Sequence, residues 1–207
     1  MKDNNSKHSA ENTDALIEAG TMDLQDFDDQ VQEKTLESKR IFDGKVISLD
    51  LLTVRLPNGR EATREVVKHP GAVAVLAVTE EGKIVFVRQY RKAIERVSLE
   101  IPAGKLEPGE DPFEAAQREL QEETGYRAQE WQHLHSFFTS PGFADEIMHV
   151  YVAKQLEKTQ ANPDDDEFLQ VLEADAVQIL LWLQQQAIID AKTLVPLYWW
   201  LWQQRGV

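Results

Sequence analysis

The sequence predicts an α/β (α+β) fold in which a mixed β-sheet is sandwiched between helices, preceded by a small antiparallel β-unit. Three observations predict it. Short β-branched and apolar runs, separated by turn residues, fill residues 45–88. A capped amphipathic helix follows at 111–124, then more strand-like sequence and two closing helices. Strands and helices do not alternate regularly, so a repeated βαβ plan is excluded.

Residues 1–30 are polar and acidic, and that composition predicts a mobile tail with a short helix around Ala15–Ala19. Lys45–Leu56 and Ala62–Lys68 read as a β-hairpin about Pro57-Asn58-Gly59, because Asn-Gly supplies the positive φ angles of a tight turn. Ala72–Val78 and Ile84–Arg88 read as a second pair around Glu80-Glu81-Gly82. The first of these is apolar throughout, which predicts a central strand covered on both faces. Asp111–Thr124 reads as a helix, with Asp111 as N-cap, Pro112 at the first position, Glu114 completing a capping box and Gly125 just past the end. Phe113, Ala116 and Leu120 form its apolar face. Strands are expected again at Trp131–Phe138 and Ile147–Ala153, then an acidic loop at Asn162–Glu167, then helices near Ala174–Gln186 and Asp190–Gln204. The expected division is a tail at 1–30, N-terminal strands at 31–70 and a main domain at 71–207.

The composition narrows the function. The 207 residues include no cysteine, so any metal sits on carboxylate, carbonyl or imidazole groups, and a reducing cytoplasm is the compartment that fits. A net charge of −14 opposes nucleic-acid binding and anionic membrane surfaces. No signal peptide is read, and the longest apolar runs, Ala72–Val78 and Leu194–Trp202, are too short to span a bilayer.

The chemistry is concentrated between Gly104 and Tyr126, GKLEPGEDPFEAAQRELQEETGY. Glu119 and Glu123 are four apart on the predicted helix, and Glu122 is three from Glu119, so the three carboxylates share one face. Mutual repulsion makes that arrangement costly without a cation, and hard oxygen ligands select Mg²⁺, Mn²⁺ or Ca²⁺. Glu122-Glu123 alone would read as solvated surface. Seven residues at fixed spacing (Gly104, Glu110, Arg118, Glu119, Glu122, Glu123, Gly125) match by chance on the order of a few times per billion start positions.

Those seven residues resemble the Nudix signature, Gly-x5-Glu-x7-Arg-Glu-U-x-Glu-Glu-x-Gly-U, with Leu120 at the first bulky apolar position. Tyr126 stands at the second, where an aliphatic residue is more usual. The resemblance implies a Nudix fold and attack of water on a phosphorus of a substituted nucleoside diphosphate. It implies Glu119 and Glu123 as the main metal ligands, Glu122 as a further ligand or a supporting one, the Ala103 carbonyl as a backbone ligand, Arg118 orienting the glutamates and Glu110 bracing the loop. The metal implied is Mg²⁺, with Mn²⁺ as the alternative.

Outside the box, Arg88-Gln89-Tyr90-Arg91, Leu99-Glu100-Ile101-Pro102-Ala103-Gly104, Ser140-Pro141-Gly142 and Asp190-Ala191-Lys192-Thr193 resemble the ADP-ribose pyrophosphatase subfamily, as does the strand ending Thr63-Arg64-Glu65-Val66. That implies a homodimer built on the N-terminal strands. Arg64 and Arg91 would contact the phosphates, ribose or adenine, Ser140-Pro141-Gly142 would line the terminal ribose, and Glu146 would bind ribose hydroxyls. Glu167 aligns with a carboxylate that serves as general base or further metal ligand. The alternatives are ordinary surface ion pairs for the arginines, a plain loop for Ser140–Gly142 and a solvated acidic turn for Glu167. Another nucleoside diphosphate sugar as substrate, or a sensing domain that does not cut, are the competing readings. The aromatic run Leu197–Trp202 is read as packing, and His133 and His135 as two side chains on one face of a strand.

Overall fold

The protein is described by a computed structural model covering residues 28–162 and 168–204. The expected helix near Ala15–Ala19 and Glu167 lie outside the described residues. The chain divides into two units, one holding residues up to 39 with 51–64, the other 40–50 with 65 onward.

The N-terminal strands follow a short helix α1 (Asp28–Val31). They are β1 (Lys34–Asp43), β2 (Ser48–Arg55) and β3 (Glu61–Lys68), in sheet order β1-β2-β3. The hairpin between β2 and β3 turns where the sequence predicts. Gly59 takes φ +80° and donates its amide to Leu56 at 2.9 Å, while the Asn58 side chain accepts from Arg60 at 3.1 Å. Every residue of β1 is exposed, and Ile41 and Phe42 are more than half exposed.

The main unit holds two sheets. The mixed one runs β7 (Ala103–Lys105), β4 (Ala72–Ala77), β9 (Ile147–Lys158), β8 (Tyr126–Phe138), with β4 and β9 parallel and the other pairs antiparallel. All six residues of β4 are buried. Their alternation sends Ala72, Ala74 and Leu76 into one core cluster with Ile101, Val150, Leu197 and Trp200. It sends Val73, Val75 and Ala77 into a second with Ala115, Ala116, Leu120 and Tyr151. Helix α2 (Pro112–Thr124) therefore covers one face of the sheet and α4 (Ala191–Gln203) the other, the doubly covered strand that an unbroken apolar run implies. The antiparallel sheet runs β10 (Gln170–Ala174), β5 (Ile84–Arg91), β6 (Arg96–Glu100), and α3 (Ala176–Gln184) follows β10.

Three expectations are corrected. Residues 72–78 and 84–88 do not form a hairpin. Their turn closes through Thr79, Gly82 and Lys83, but past the bridge Val78↔Ile84 the strands part. β4 is flanked by β7 and β9, and β5 by β6 and β10, so neither keeps an edge for the other. Strand β10 was not expected. Gln170–Ala174 carries the helix-favouring Leu172, Glu173 and Ala174, and only its ladder on β5 makes it a strand. Strands β8 and β9 are longer than read, and a bulge between His133 and His135 breaks the alternation that would align the two imidazoles.

The caps are largely as read. Asp111 accepts from the amides of Phe113 at 2.8 Å and Glu114 at 3.4 Å, and Gly125 at φ +70° closes the helix onto Gln121. Ala116 and Leu120 are fully buried, but Phe113 stays 38% exposed, its ring edge-on to Trp131. In α4, Leu197, Trp200 and Leu201 enter the core while Tyr198 and Trp202 face outward, so packing accounts for one side of that aromatic run. Tyr126, at the unusual box position, is 7% exposed and donates its hydroxyl to Glu173 at 2.6 Å, so the larger side chain has a polar partner for its tip.

Candidate active site

Helix α2 begins at a cap and ends at a glycine, and these fixed ends set the angle at which its acidic face meets β7. Glu119 and Glu123 are 8% and 3% exposed, unusual burial for carboxylates. Arg118 gathers Glu110, Glu119 and Glu122. Its Nε and Nη2 grip Glu110 at 2.9 and 3.0 Å, and its Nη1 reaches Glu119 at 2.7 Å and Glu122 at 2.9 Å. Glu110 also accepts the Glu107 amide at 2.9 Å, tying the loop to its own start. The guanidinium holds the Glu110 carboxyl below the usual carboxylate range, and the three glutamates raise Arg118 above the ordinary arginine value. Glu123 turns the other way and accepts the Ala103 amide at 3.0 Å.

Gly104 completes the arrangement. A Cβ there would stand 1.9 Å from the Glu119 carboxyl carbon, so the strand passes directly against the carboxylate. Each fixed box position thus has a physical task in one network. The donor set suits a hard divalent cation, with three carboxylates on two turns of helix beside a backbone that approaches without a side chain. Among the described residues no three carboxylates or imidazoles form a ready ligand set, and between Glu119 and Glu122 the positive charge is that of Arg118.

Two clefts meet here. One, of about 430 Å³, is lined by Arg118, Glu119 and Glu122 with Lys45, Lys105 and Glu107. The other, of about 520 Å³, is lined by Arg91, Ala103, Ser140 and Glu146 with His69, Asp190 and Lys192. Gly104 and Lys105 belong to both, so the short strand β7 is their common wall. In the second cleft Glu146 accepts the Thr139 hydroxyl at 2.5 Å, and the His69 Nδ1 lies 3.6 Å away. That nitrogen accepts the Gly71 amide at 3.1 Å, which puts the proton of neutral His69 on Nε2. The loop carrying Ser140 is anchored by Phe143 and Asp145, which exchange backbone bonds with Val67.

The structure therefore brings Arg118, Glu119 and Glu122 to one cleft, and Arg91, Ala103, Ser140 and Glu146 to the adjoining one. Pro141 and Gly142 lie on the exposed turn after Ser140 and line neither cleft. Arg64 belongs to the N-terminal unit and pairs Glu33, with Nε to Oε2 at 2.9 Å.

Sequence reasoning gave no role to His69, Glu100, Lys105 or Lys192, although Glu100 and Lys192 stand in the quoted runs 99–104 and 190–193. Two signals could have found the central pair. Glu100 is a lone carboxylate before the apolar Ile101-Pro102-Ala103, and Lys192 is a cation in the first turn of a helix, where the helix field disfavours it. Glu100 is 2% exposed. Burial raises its pKa, but the Arg91 and Lys192 cations overcome that and hold it at about 2, against an ordinary 4.5. A carboxylate with its folded pKa depressed stabilises the fold fully above pH 4.5 and loses that contribution as pH falls toward 2. The contribution is on the order of 3 kcal/mol. Urea midpoints between pH 7 and pH 3 should therefore fall more steeply in the wild type than in Glu100→Gln. Parallel curves would remove Glu100 from the acid response.

The chain is similar to known proteins along most of its length. Residues 68–196 match the model of the NUDIX domain, and residues 33–67 match that of the nucleoside diphosphate sugar hydrolase N-terminal domain. The chain is 52% identical over 165 residues to the ADP-ribose pyrophosphatase of Bacillus subtilis (strain 168), covering 79% of this chain and 89% of that one. It is 52% identical over 166 residues to the methanol dehydrogenase activator of Bacillus methanolicus, covering 79% and 90%. A crystal structure of an ADP compounds hydrolase superposes with a TM-score of 0.74 at 22% identity, covering 85% of this chain and 97% of that one, a likeness of fold.

Proposed function

This chain belongs to the Nudix family and is a Nudix hydrolase, and from that premise we propose that it cuts the pyrophosphate bond of ADP-ribose to AMP and ribose 5-phosphate. The observation that carries the reading is the intact glutamate network on α2, opening onto one cleft that adjoins a second lined by Arg91 and Glu146. The substrate follows from the 52% identity to an ADP-ribose pyrophosphatase over most of both chains.

Enzymes of this kind depend on a divalent metal, and Mg²⁺ is the ion proposed here, with Mn²⁺ able to replace it. Glu119, Glu122, Glu123 and the Ala103 carbonyl would hold it, and it would neutralise diphosphate charge and acidify the attacking water. Arg118 holds Glu119 and Glu122 together until a cation competes for them. Arg91 and Arg64 contact the phosphates, ribose or adenine, since the guanidinium fork grips phosphate in two bonds and its plane stacks on a base. Ser140 borders the terminal ribose, and Glu146 accepts from its hydroxyls. Glu167 serves as general base or as a further metal ligand.

The proposed unit is a cytoplasmic homodimer joined through residues 31–70. The fully exposed β1, with Ile41 and Phe42 open, supports such pairing. A monomer by sedimentation equilibrium would remove this part of the reading. Among the described residues no helix is long and apolar enough to cross a membrane.

Relatives named GDP-mannose pyrophosphatase, at 28–33% identity, keep a second nucleotide sugar in view, and the equally similar methanol dehydrogenase activator carries no substrate in its name. A panel of ADP-ribose, ADP-glucose, GDP-mannose, UDP-glucose and NADH, with Mg²⁺ and a phosphatase that acts only on the products, decides among them. ADP-ribose is expected to give the highest kcat/KM. A preference for another member would keep the metal chemistry and discard the ribose assignments. Tight ADP-ribose binding without turnover would make the protein a sensor.

A further inference from the structure

Four charged side chains meet where β5, β6 and α4 come together. Arg91 ends β5, Glu100 ends β6, and Asp190 and Lys192 flank the start of α4. Arg91 donates Nε to one Glu100 oxygen at 3.0 Å and Nη2 to the other at 2.7 Å. Lys192 Nζ bonds that second oxygen and lies 3.0 Å from Asp190. The side chains grade outward, Glu100 3% exposed, Lys192 12% and Arg91 40%. The carboxylate is thus the base of the cluster, while Arg91 and Lys192 line the cleft above it.

The cluster is locked from both sides. The Ile101 amide donates to the Thr193 hydroxyl at 3.0 Å, and that hydroxyl donates to Asp190 at 2.6 Å. Thr193 is completely buried and ties the residue after β6 to the start of α4. The guanidinium spends one edge on Glu100. Among the described residues its Nη1 has no hydrogen-bond partner, and Arg91 forms part of the cleft wall. Arg91 and Lys192 balance Glu100 and Asp190, so the cluster is neutral. Without Lys192 it would carry a net negative charge facing an anionic ligand.

We infer that Glu100 and Lys192 are positioning residues for Arg91: Glu100 fixes the guanidinium so that its remaining edge meets the substrate's diphosphate, and Lys192 neutralises the carboxylate that would otherwise repel it. This rests on the reading of the clefts as a nucleoside diphosphate site. A rotating arginine would lose side-chain entropy on each binding event, whereas one already gripped in two parallel bonds does not. The clamp therefore acts on binding more than on the chemical step.

The test uses whichever nucleotide the wild-type enzyme turns over fastest, so an error in the ADP-ribose assignment appears in the wild type and leaves this comparison intact. Lys192→Met should raise KM about tenfold with kcat changed less than about threefold. Lys192→Arg, which keeps the charge, should return KM to within about threefold of wild type. Should Lys192→Met melt far below the wild type, Glu100→Gln supplies the second test. It leaves Arg91 in place but removes one of its two carboxylate acceptors, and KM should rise by a similar factor with kcat changed less than about threefold. An unchanged KM in a folded variant, a fall confined to kcat, or a Lys192→Arg enzyme no better than Lys192→Met each overturns the clamp.

Discussion

Glu123→Gln is expected to fold normally and to lose kcat by about a thousandfold or more, an effect on the scale of removing one principal charge-stabilising group from a preorganised site. The buried Glu123 accepts the Ala103 amide through Oε2. A glutamine carbonyl accepts the same bond in nearly the same shape, so the local packing survives. What is lost is the negative charge that a divalent cation needs, and an amide is a far weaker partner for Mg²⁺ than a carboxylate. Circular dichroism and melting temperature should match the wild type while turnover collapses. Turnover within about tenfold of wild type would take Glu123 out of the metal centre.

Gly104→Ala should have the second largest effect, through a single carbon atom. The added Cβ would lie 1.9 Å from the Glu119 carboxyl carbon, well inside any real contact, and Glu119 is tied by Arg118 and largely buried. Either the carboxylate swings away or β7 moves off the helix. Both disrupt the ligand set, and activity should fall about a hundredfold, since small displacements of positioned groups carry costs of that size. Overpacking of this kind costs about 1–3 kcal/mol of stability. The carboxylate is the named obstacle, so in a Glu119→Ala background Gly104→Ala should cost almost no stability. An equal cost in both backgrounds would locate the constraint elsewhere.

The parts of this molecule that were legible in the sequence are those set by neighbours along the chain. The Asp111 cap, the Pro57-Asn58-Gly59 turn and the doubly buried β4 each follow from a few adjacent residues whose own preferences are strong. The box was legible for the same reason, because Glu110, Arg118, Glu119, Glu122 and Glu123 sit within a turn or two of one helix and its loop. The rest depends on partners far away in sequence. Ile84–Arg91 parts from β4, the strand before it, and takes β6 on one side and β10, more than 80 residues on, on the other. Glu100 meets Lys192 across 92 positions, and neither position announces the other. The second cleft is legible only as scattered fragments, since Ser140, Glu146 and Arg91 acquire a common purpose only when β5, the loop after β8 and the start of α4 converge.

The central claim is that the α2 glutamates support metal-dependent cleavage of a diphosphate bond. Its most direct measurement is hydrolysis of ADP-ribose by the wild-type protein with Mg²⁺ and after exhaustive chelation, with products separated by anion-exchange chromatography and Glu123→Gln run alongside. Equal amounts of AMP and ribose 5-phosphate with Mg²⁺, and none after chelation or from the variant, are the predicted result. Cleavage that persists without metal, or that Glu123→Gln performs as well as the wild type, would contradict the account.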